Sequence, residues 1–136
     1  MHPKIVWAEL ARTGNAFTTD FTSKTVGNTG YILTVNGDSK EDLYYLLAFL
    51  NSRVLLYCLD QITSRFDENG WRWLRQFVEQ LRIPKYNNKD AIVSVVSSTN
   101  RYNQLENSEI INVYVAKTFG LSEEELSYIN GVLDGY

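Results

Sequence analysis

From Lys40 to about Ile62 the chain reads as one apolar helical run with almost no polar face in its first half. Leu43, Tyr44, Leu46, Leu47, Phe49 and Leu50 surround the axis there, and the apolar side then narrows to Val54, Leu55, Tyr57, Cys58 and Ile62. A helix without a polar face belongs at the centre of a domain, with other elements packed on several sides of it. Ser39 has the chemistry of an N-cap for this helix, with Asp42 at the N3 position. Asn51 and Ser52 interrupt the apolar run. Polar groups in a buried helix need partners, so both are expected to bond backbone or neighbouring loops and to brace the fold. Arg53, next in line, is expected to serve as a structural ion-pair partner.

What packs on such a helix is legible before and after it. Residues 4–10, 16–21 and 29–35 have the β-branched and aromatic content of strands. Turn chemistry separates them at 11–15 and 23–28, and Asn36-Gly37-Asp38 closes the β-rich section. Beyond the helix, 63–70 is a polar connection containing Gly70, 71–80 suggests a short helix or a helix-like turn, and Leu81-Arg82-Ile83 a short strand stopped by Pro84. Helices are expected over 90–100 and 108–119, with Gly120 as a C′ residue. Ser122 to Glu125 is a capping box for a last helix to about Leu133. The expected fold is α+β: a small mixed or antiparallel sheet on a central buried helix, followed by a helical C-terminal tail. Residues 1–86 would form the core unit and 87–136 the extension.

Chemistry of the chain's own is scarce. One histidine, His2, and one cysteine, Cys58, cannot build a transition-metal cluster, a catalytic triad of ordinary layout or an internal disulfide. Cys58 reads as a small buried hydrophobe. Neither Gly-rich phosphate-loop pattern occurs. Asp20 with Asp38-Ser39-Lys40 loosely fits the acid and lysine layout of a Mg²⁺ nuclease, but Asp38 and Ser39 are accounted for by a turn and a helix cap. Glu123 and Glu124 complement a helix dipole in the first turn and need no further role. No apolar run reaches the length of a membrane span, and the N-terminus lacks a signal-peptide h-region, so the expected location is the cytoplasm. The net charge of −3 argues mildly against nucleic acid. It is uneven, however. Residues 1–87 hold ten Lys and Arg against nine Asp and Glu, whereas 88–136 hold three against seven.

Five blocks in order carry a resemblance. They are Lys4-Ile5-Val6-Trp7-Ala8-Glu9; Phe17 with Asn28-Thr29-Gly30-Tyr31-Ile32-Leu33; and Leu46-Leu47-Ala48-Phe49-Leu50-Asn51-Ser52. Then come Ser64 with Trp71-Arg72-Trp73 and Leu81-Arg82-Ile83-Pro84, and finally Leu105-Glu106, Ile111-Asn112, Val115 and Phe119 to Glu125. Together they resemble the TaqI-like C-terminal specificity domain, the target-recognition part of type IIG restriction-modification enzymes and N6-adenine DNA methyltransferases. Arg82 stands where that family commonly has proline, and Asn112 where it commonly has aspartate.

The resemblance implies a non-catalytic domain that reads double-stranded DNA for a catalytic methyltransferase or nuclease domain of a larger bacterial enzyme. S-adenosylmethionine and Mg²⁺ would belong to those catalytic parts. The chain would then be the C-terminal portion of such an enzyme, or a stand-alone remnant of one. The readers are expected in loops: Arg12, Thr13, Asn15, Lys24, Thr25 and Asn28 between strands, and Arg65, Arg72 and Arg75 around the glycine turn. Arginine can bond guanine O6 and N7 bidentately, asparagine can do the same for adenine, and lysine suits phosphate. Trp7, Trp71 and Trp73 are read as core side chains rather than base-stacking platforms. The acidic tail would dock on a neighbouring domain rather than on DNA. The alternative is a protein–protein interaction module without nucleic-acid binding.

Overall fold

A computed structural model describes residues 3–8, 10–11, 17–20, 30–62, 71–73, 75–84, 89–100 and 102–135. It is an α+β fold in which a three-stranded antiparallel sheet lies against the first of six helices among the described residues. The central strand is β1 (Lys4–Ala8), flanked by β3 (Phe17–Asp20) and β4 (Gly30–Leu33). The registers set Trp7 opposite both Phe17 and Tyr31, and Ile5 opposite both Thr19 and Leu33. Because strand side chains alternate in direction, these pairs line one face. Ile5, Trp7 and Phe17 are buried there, while Ile32 on the other face is half exposed. The Trp7 ring lies 5.0 Å from Phe17 and stacks at 5.2 Å on Tyr31, an aromatic row across all three strands. A separate two-stranded ribbon pairs β2 (Leu10–Ala11) with β5 (Trp71–Arg72).

The run 40–62 is not one helix. It is α1 (Lys40–Leu50) and α2 (Arg53–Ile62), bent by 62° at Asn51-Ser52. Before α1, Gly37 takes a left-handed φ of +80° inside a single 3-10 turn, Asn36–Asp38, which ends the β-rich section as its sequence suggests. Ser39 Oγ accepts from the Asp42 amide and caps α1. The break follows from two local bonds. The Ser52 amide turns back to Phe49 O, and Ser52 Oγ donates to the same carbonyl at 2.6 Å. Ser52 Oγ also accepts from the Leu55 amide, so Ser52 is at once the stop of α1 and the N-cap of α2. Ser52 is 1 % exposed and both helices bury one side completely: Leu43, Ala48, Phe49 and Leu50 in α1, and Val54, Leu55, Leu56 and Leu59 in α2.

Other boundaries shift for similar reasons. The stretch 71–80 starts as strand β5, because Trp71 and Arg72 pair with β2; only α3 (Arg75–Val78) is helical. Leu81-Arg82-Ile83 joins no sheet. It runs from a turn in which the Leu81 amide donates to Val78 O, and Tyr45 Oη fastens the following Pro84 by donating to its carbonyl at 2.7 Å. The last helices are α4 (Lys89–Ser97), α5 (Gln104–Thr118) and α6 (Glu123–Asp134). Between α5 and α6 the Gly120 amide bonds Lys117 O and the Leu121 amide bonds Ala116 O, a Schellman motif with Gly120 at φ +77°. The Ser122–Glu125 capping box then starts α6 as its sequence suggests. Ile92, Val96, Val115, Ala116, Ile129 and Leu133 from these helices join the same hydrophobic cluster as Ile5, Trp7, Phe17, Leu43 and Leu55.

Candidate nucleic-acid interface

Strand directions bring together the anchors of the three segments that hold most of the candidate readers. Both β3 and β4 run antiparallel to β1, so Phe17 and Gly30 start their strands at one end of the sheet, beside Trp7 and Ala8. β2 begins two residues after Ala8, and its Ala11 pairs with Trp71. Ala11 and Phe17 bracket residues 12–16, Gly30 receives the end of 21–29, and Trp71 receives the end of 63–70. Arg12, Thr13, Asn15, Lys24, Thr25, Asn28 and Arg65 themselves lie outside the described residues. Arg72 is placed in β5 opposite Leu10, and Arg75 opens α3, both by backbone alone. Thus one described anchor of each segment lies toward this end, whereas Asp20, from which 21–29 departs, pairs with Lys4 at the other.

The frame behind this end is held by side chains that bond backbone. Asn51 Nδ2 donates to the Phe17 carbonyl at 2.9 Å, and its Oδ1 accepts from the Phe17 amide at 3.0 Å. In an antiparallel ladder the N–H and C=O of one residue point to the same side. At Phe17 they point away from β1, so the Asn51 carboxamide takes the part of a missing strand neighbour. A helix stop is thereby welded to the first residue after segment 12–16. Trp7 Nε1 donates to Trp73 O at 2.8 Å in the interior, which fastens the three-stranded sheet to the chain leaving β5. Phe17 meets Trp73 edge to face at 5.0 Å. Trp71 Nε1 donates to Asp60 Oδ1 at 3.0 Å, tying β5 to α2. All three tryptophans are at most 6 % exposed, so none is a stacking platform. Trp73 Nε1 is a buried donor that meets no acceptor among the described residues.

The start of α2 reaches into the tail. The Arg53 amide, one of the orphan donors of a helix N-terminus, is met by Asn112 Oδ1 at 2.8 Å. The Arg53 guanidinium donates from Nε to Asn130 Oδ1 at 2.7 Å and forms an ion pair with Asp134. Arg53 is therefore the structural ion-pair residue that its place in the chain suggests. Asn112 and Asn130 are missed by sequence reasoning, because nothing local in α5 or α6 marks an amide aimed at a residue sixty to eighty positions away. A departure from a family pattern, Asn112 for aspartate, is the one signal that singles out either.

A cleft of about 380 Å³ runs beside β3, lined among others by Thr18, Thr19, Tyr44, Ser97, Thr99 and Ser108. Among the described residues its polar groups are hydroxyls and amides. These groups can offer neutral hydrogen bonds. The cleft draws on β3, α1, α4 and α5, so no spacing in the chain announces it. Elsewhere, Cys58 is half-buried rather than fully inside, at the margin of the packed side of α2, and that partial burial pushes its thiol above its ordinary range. Among the described residues no group of three or more His, Cys, Asp or Glu side chains could hold a metal ion, and no single helix is long and apolar enough to cross a membrane. Compared with known proteins, the chain matches no family model and no curated sequence.

Proposed function

We propose that this chain is the DNA sequence-recognition domain of a restriction-modification enzyme or adenine-specific DNA methyltransferase, non-catalytic in itself. The observation that carries the proposal is how its resemblance blocks meet. Trp7 of the first bonds Trp73 of the fourth, and Phe17 of the second is clamped by Asn51 of the third. Tyr45, at the edge of the third, holds Pro84, and Arg53 just beyond Ser52 is met by Asn112 of the fifth. Phe49 and Phe119 pack at 5.7 Å. Short patterns that match by chance have no reason to serve as each other's partners. A rigid frame with polar segments anchored at one end is also what base readout asks of a protein. In this reading Arg12, Asn15, Asn28 and Arg65 meet base edges, while Lys24 and the arginines of β5 and α3 steady phosphates. Catalysis, with S-adenosylmethionine and Mg²⁺, belongs to a partner domain.

The test is fluorescence anisotropy of the folded chain with duplex DNA, from about 50 mM to about 200 mM salt, followed by selection and sequencing from a random pool. Binding is expected to weaken steeply, with a logarithmic slope of about −0.9 for each phosphate neutralised. Arg12→Ala and Arg65→Ala are each expected to relax preference at one base, by about 1–3 kcal/mol if the contact is bidentate. A folded chain that binds no duplex at the lowest salt, or binds without any sequence preference, would overturn the proposal and leave the protein-interaction alternative.

A further inference from the structure

Among the described strands, β3 (Phe17–Asp20) is an edge, with β1 on one side only. Ladder sites on its outer edge recur at every second residue. The first is Phe17, where the Asn51 carboxamide stands in for a strand neighbour. Thr19 lies two residues on, opposite Ile5, so its N–H and C=O also point away from β1. Among the described residues no group meets them. An edge left open in this way is a template for a further strand.

The cleft of about 380 Å³ opens along this site. Two helices each present one line of side chains to it, at helical spacing: Leu47, Ala48 and Asn51 of α1, and Ser108, Ile111 and Asn112 of α5. Leu47, Ala48 and Ile111, with Val96, give it an apolar floor. Ser108 Oγ and Asn112 Nδ2 meet no partner among the described residues. A strand edge beside a helix, over an apolar floor, is suited to taking up an extended peptide by strand addition.

We infer that the outer edge of β3 binds an extended, uncharged peptide segment of a partner protein as a further strand, antiparallel to β3. The peptide residue opposite Thr19 exchanges both backbone hydrogen bonds with it. Opposed residues of a ladder point to one face, and Thr19 shares its face with Ile5, Trp7 and Phe17. The side chain of that peptide residue therefore enters the cleft, where valine or isoleucine suits both a strand and the apolar floor. The polar groups around it are hydroxyls and amides, and a charge buried there would be desolvated without a counter-ion among the described residues. Asn51 sets where the added strand ends, because its carboxamide fills the place opposite Phe17. A second copy's β3 is a poor donor, since its own outer edge carries the same Asn51 and α1 alongside. The inference rests on this edge alone and holds whether or not the chain reads DNA.

The test uses the full chain and a fluorescently labelled peptide with blocked ends, Thr-Thr-Val-Thr-Thr, read by anisotropy. The same peptide N-methylated at its valine lacks the donor for the Thr19 carbonyl. The first is expected to bind, and methylation to weaken it at least about tenfold. Thr19→Pro removes the outward N–H while sparing the β1 ladder, since proline is tolerated where an edge strand's N–H faces outward. Ser108→Phe fills the cleft from α5 and leaves the edge itself intact. Each variant should weaken binding at least about tenfold, with circular dichroism confirming the fold. If Thr19→Pro does not fold, Ser108→Phe and the methylated peptide decide the matter. No binding up to about 1 mM peptide, equal affinity of the methylated peptide, or unchanged binding by Ser108→Phe would overturn the inference. So would equal binding of a peptide with lysine or glutamate in place of valine.

Discussion

Replacing Asn51 by alanine removes both hydrogen bonds that hold the free side of β3 at Phe17. The Phe17 side chain is 2 % exposed and the two bonds are partly buried, so water re-solvates the amide and carbonyl only in part. A polar group left unsatisfied in the interior costs about 1–3 kcal/mol. Taking the lower half of that range for each of two groups, Asn51→Ala should lose about 2–4 kcal/mol, a large share of a typical domain's stability of roughly 5–15 kcal/mol. The loss corresponds to a Tm lower by roughly 10 °C and a urea midpoint lower by more than about 1 M. Urea unfolding followed by tryptophan fluorescence is well placed to read it, since Trp7, Trp71 and Trp73 are all buried. Asn51→Asp separates hydrogen bonding from packing. It conserves volume and an acceptor for the Phe17 amide but turns a carboxylate oxygen toward the Phe17 carbonyl, so it should lose at least half as much. A change below about 0.5 kcal/mol in Asn51→Ala would refute the strand-neighbour role. If the chain reads DNA, the folded fraction of Asn51→Ala should keep its site preference. A stable variant with an altered preference would move the reading surface onto this helix junction.

Ser52→Ala deletes the shared stop and cap, and should cost about 1–2 kcal/mol in the same urea assay, with the loss of α2 N-terminal protection visible in amide exchange. Asn112→Asp keeps an acceptor for the Arg53 amide and should stay within about 0.5 kcal/mol of the parent, whereas Asn112→Leu should lose about 1–2 kcal/mol; equal losses would show that the amide-to-backbone bond carries no weight. Tyr45→Phe should lose about 1 kcal/mol and free the segment around Pro84 to limited proteolysis. The Cys58 thiol, pushed up by burial, should react with a thiol reagent near pH 8 far more slowly in the folded chain than in urea; equal rates would place it at the surface.

Much of the fold is legible because its signals are local. The aromatic and β-branched stretches at 4–8, 17–20 and 30–33 are strands, Ser39 and Ser122 cap helices, and Gly120 closes one, each by chemistry confined to a few neighbouring residues. The errors are where distant partners decide. The run 40–62 has the apolar pattern of one helix, but Ser52 serves two helices and Asn51 is held by Phe17, thirty-four positions earlier, so the axis turns. Trp71-Arg72 has helix-compatible neighbours and becomes a strand because Leu10 and Ala11 present a free edge. Leu81-Arg82-Ile83 has strand composition and pairs with no strand among the described residues. The candidate readers fare differently: their segments are recognisable by polarity and turn residues, yet composition says nothing of the end of the sheet at which their anchors gather.

By itself the sequence determined the inventory: an α+β chain with a buried helical centre, an acidic helical tail, and polar residues at 51 and 52 in need of partners. Periodicity and capping act over one or two turns, which is why they survive translation from sequence to structure. Only the tertiary structure decided who those partners are. A side-chain amide is satisfied by whichever backbone the packed core brings within 3 Å, and in this chain that backbone belongs to Phe17 for Asn51 and to Arg53 for Asn112. Hydrogen bonds between residues so far apart in sequence depend on how the hydrophobic cluster arranges sheet and helices, and no spacing along the chain records that arrangement in advance.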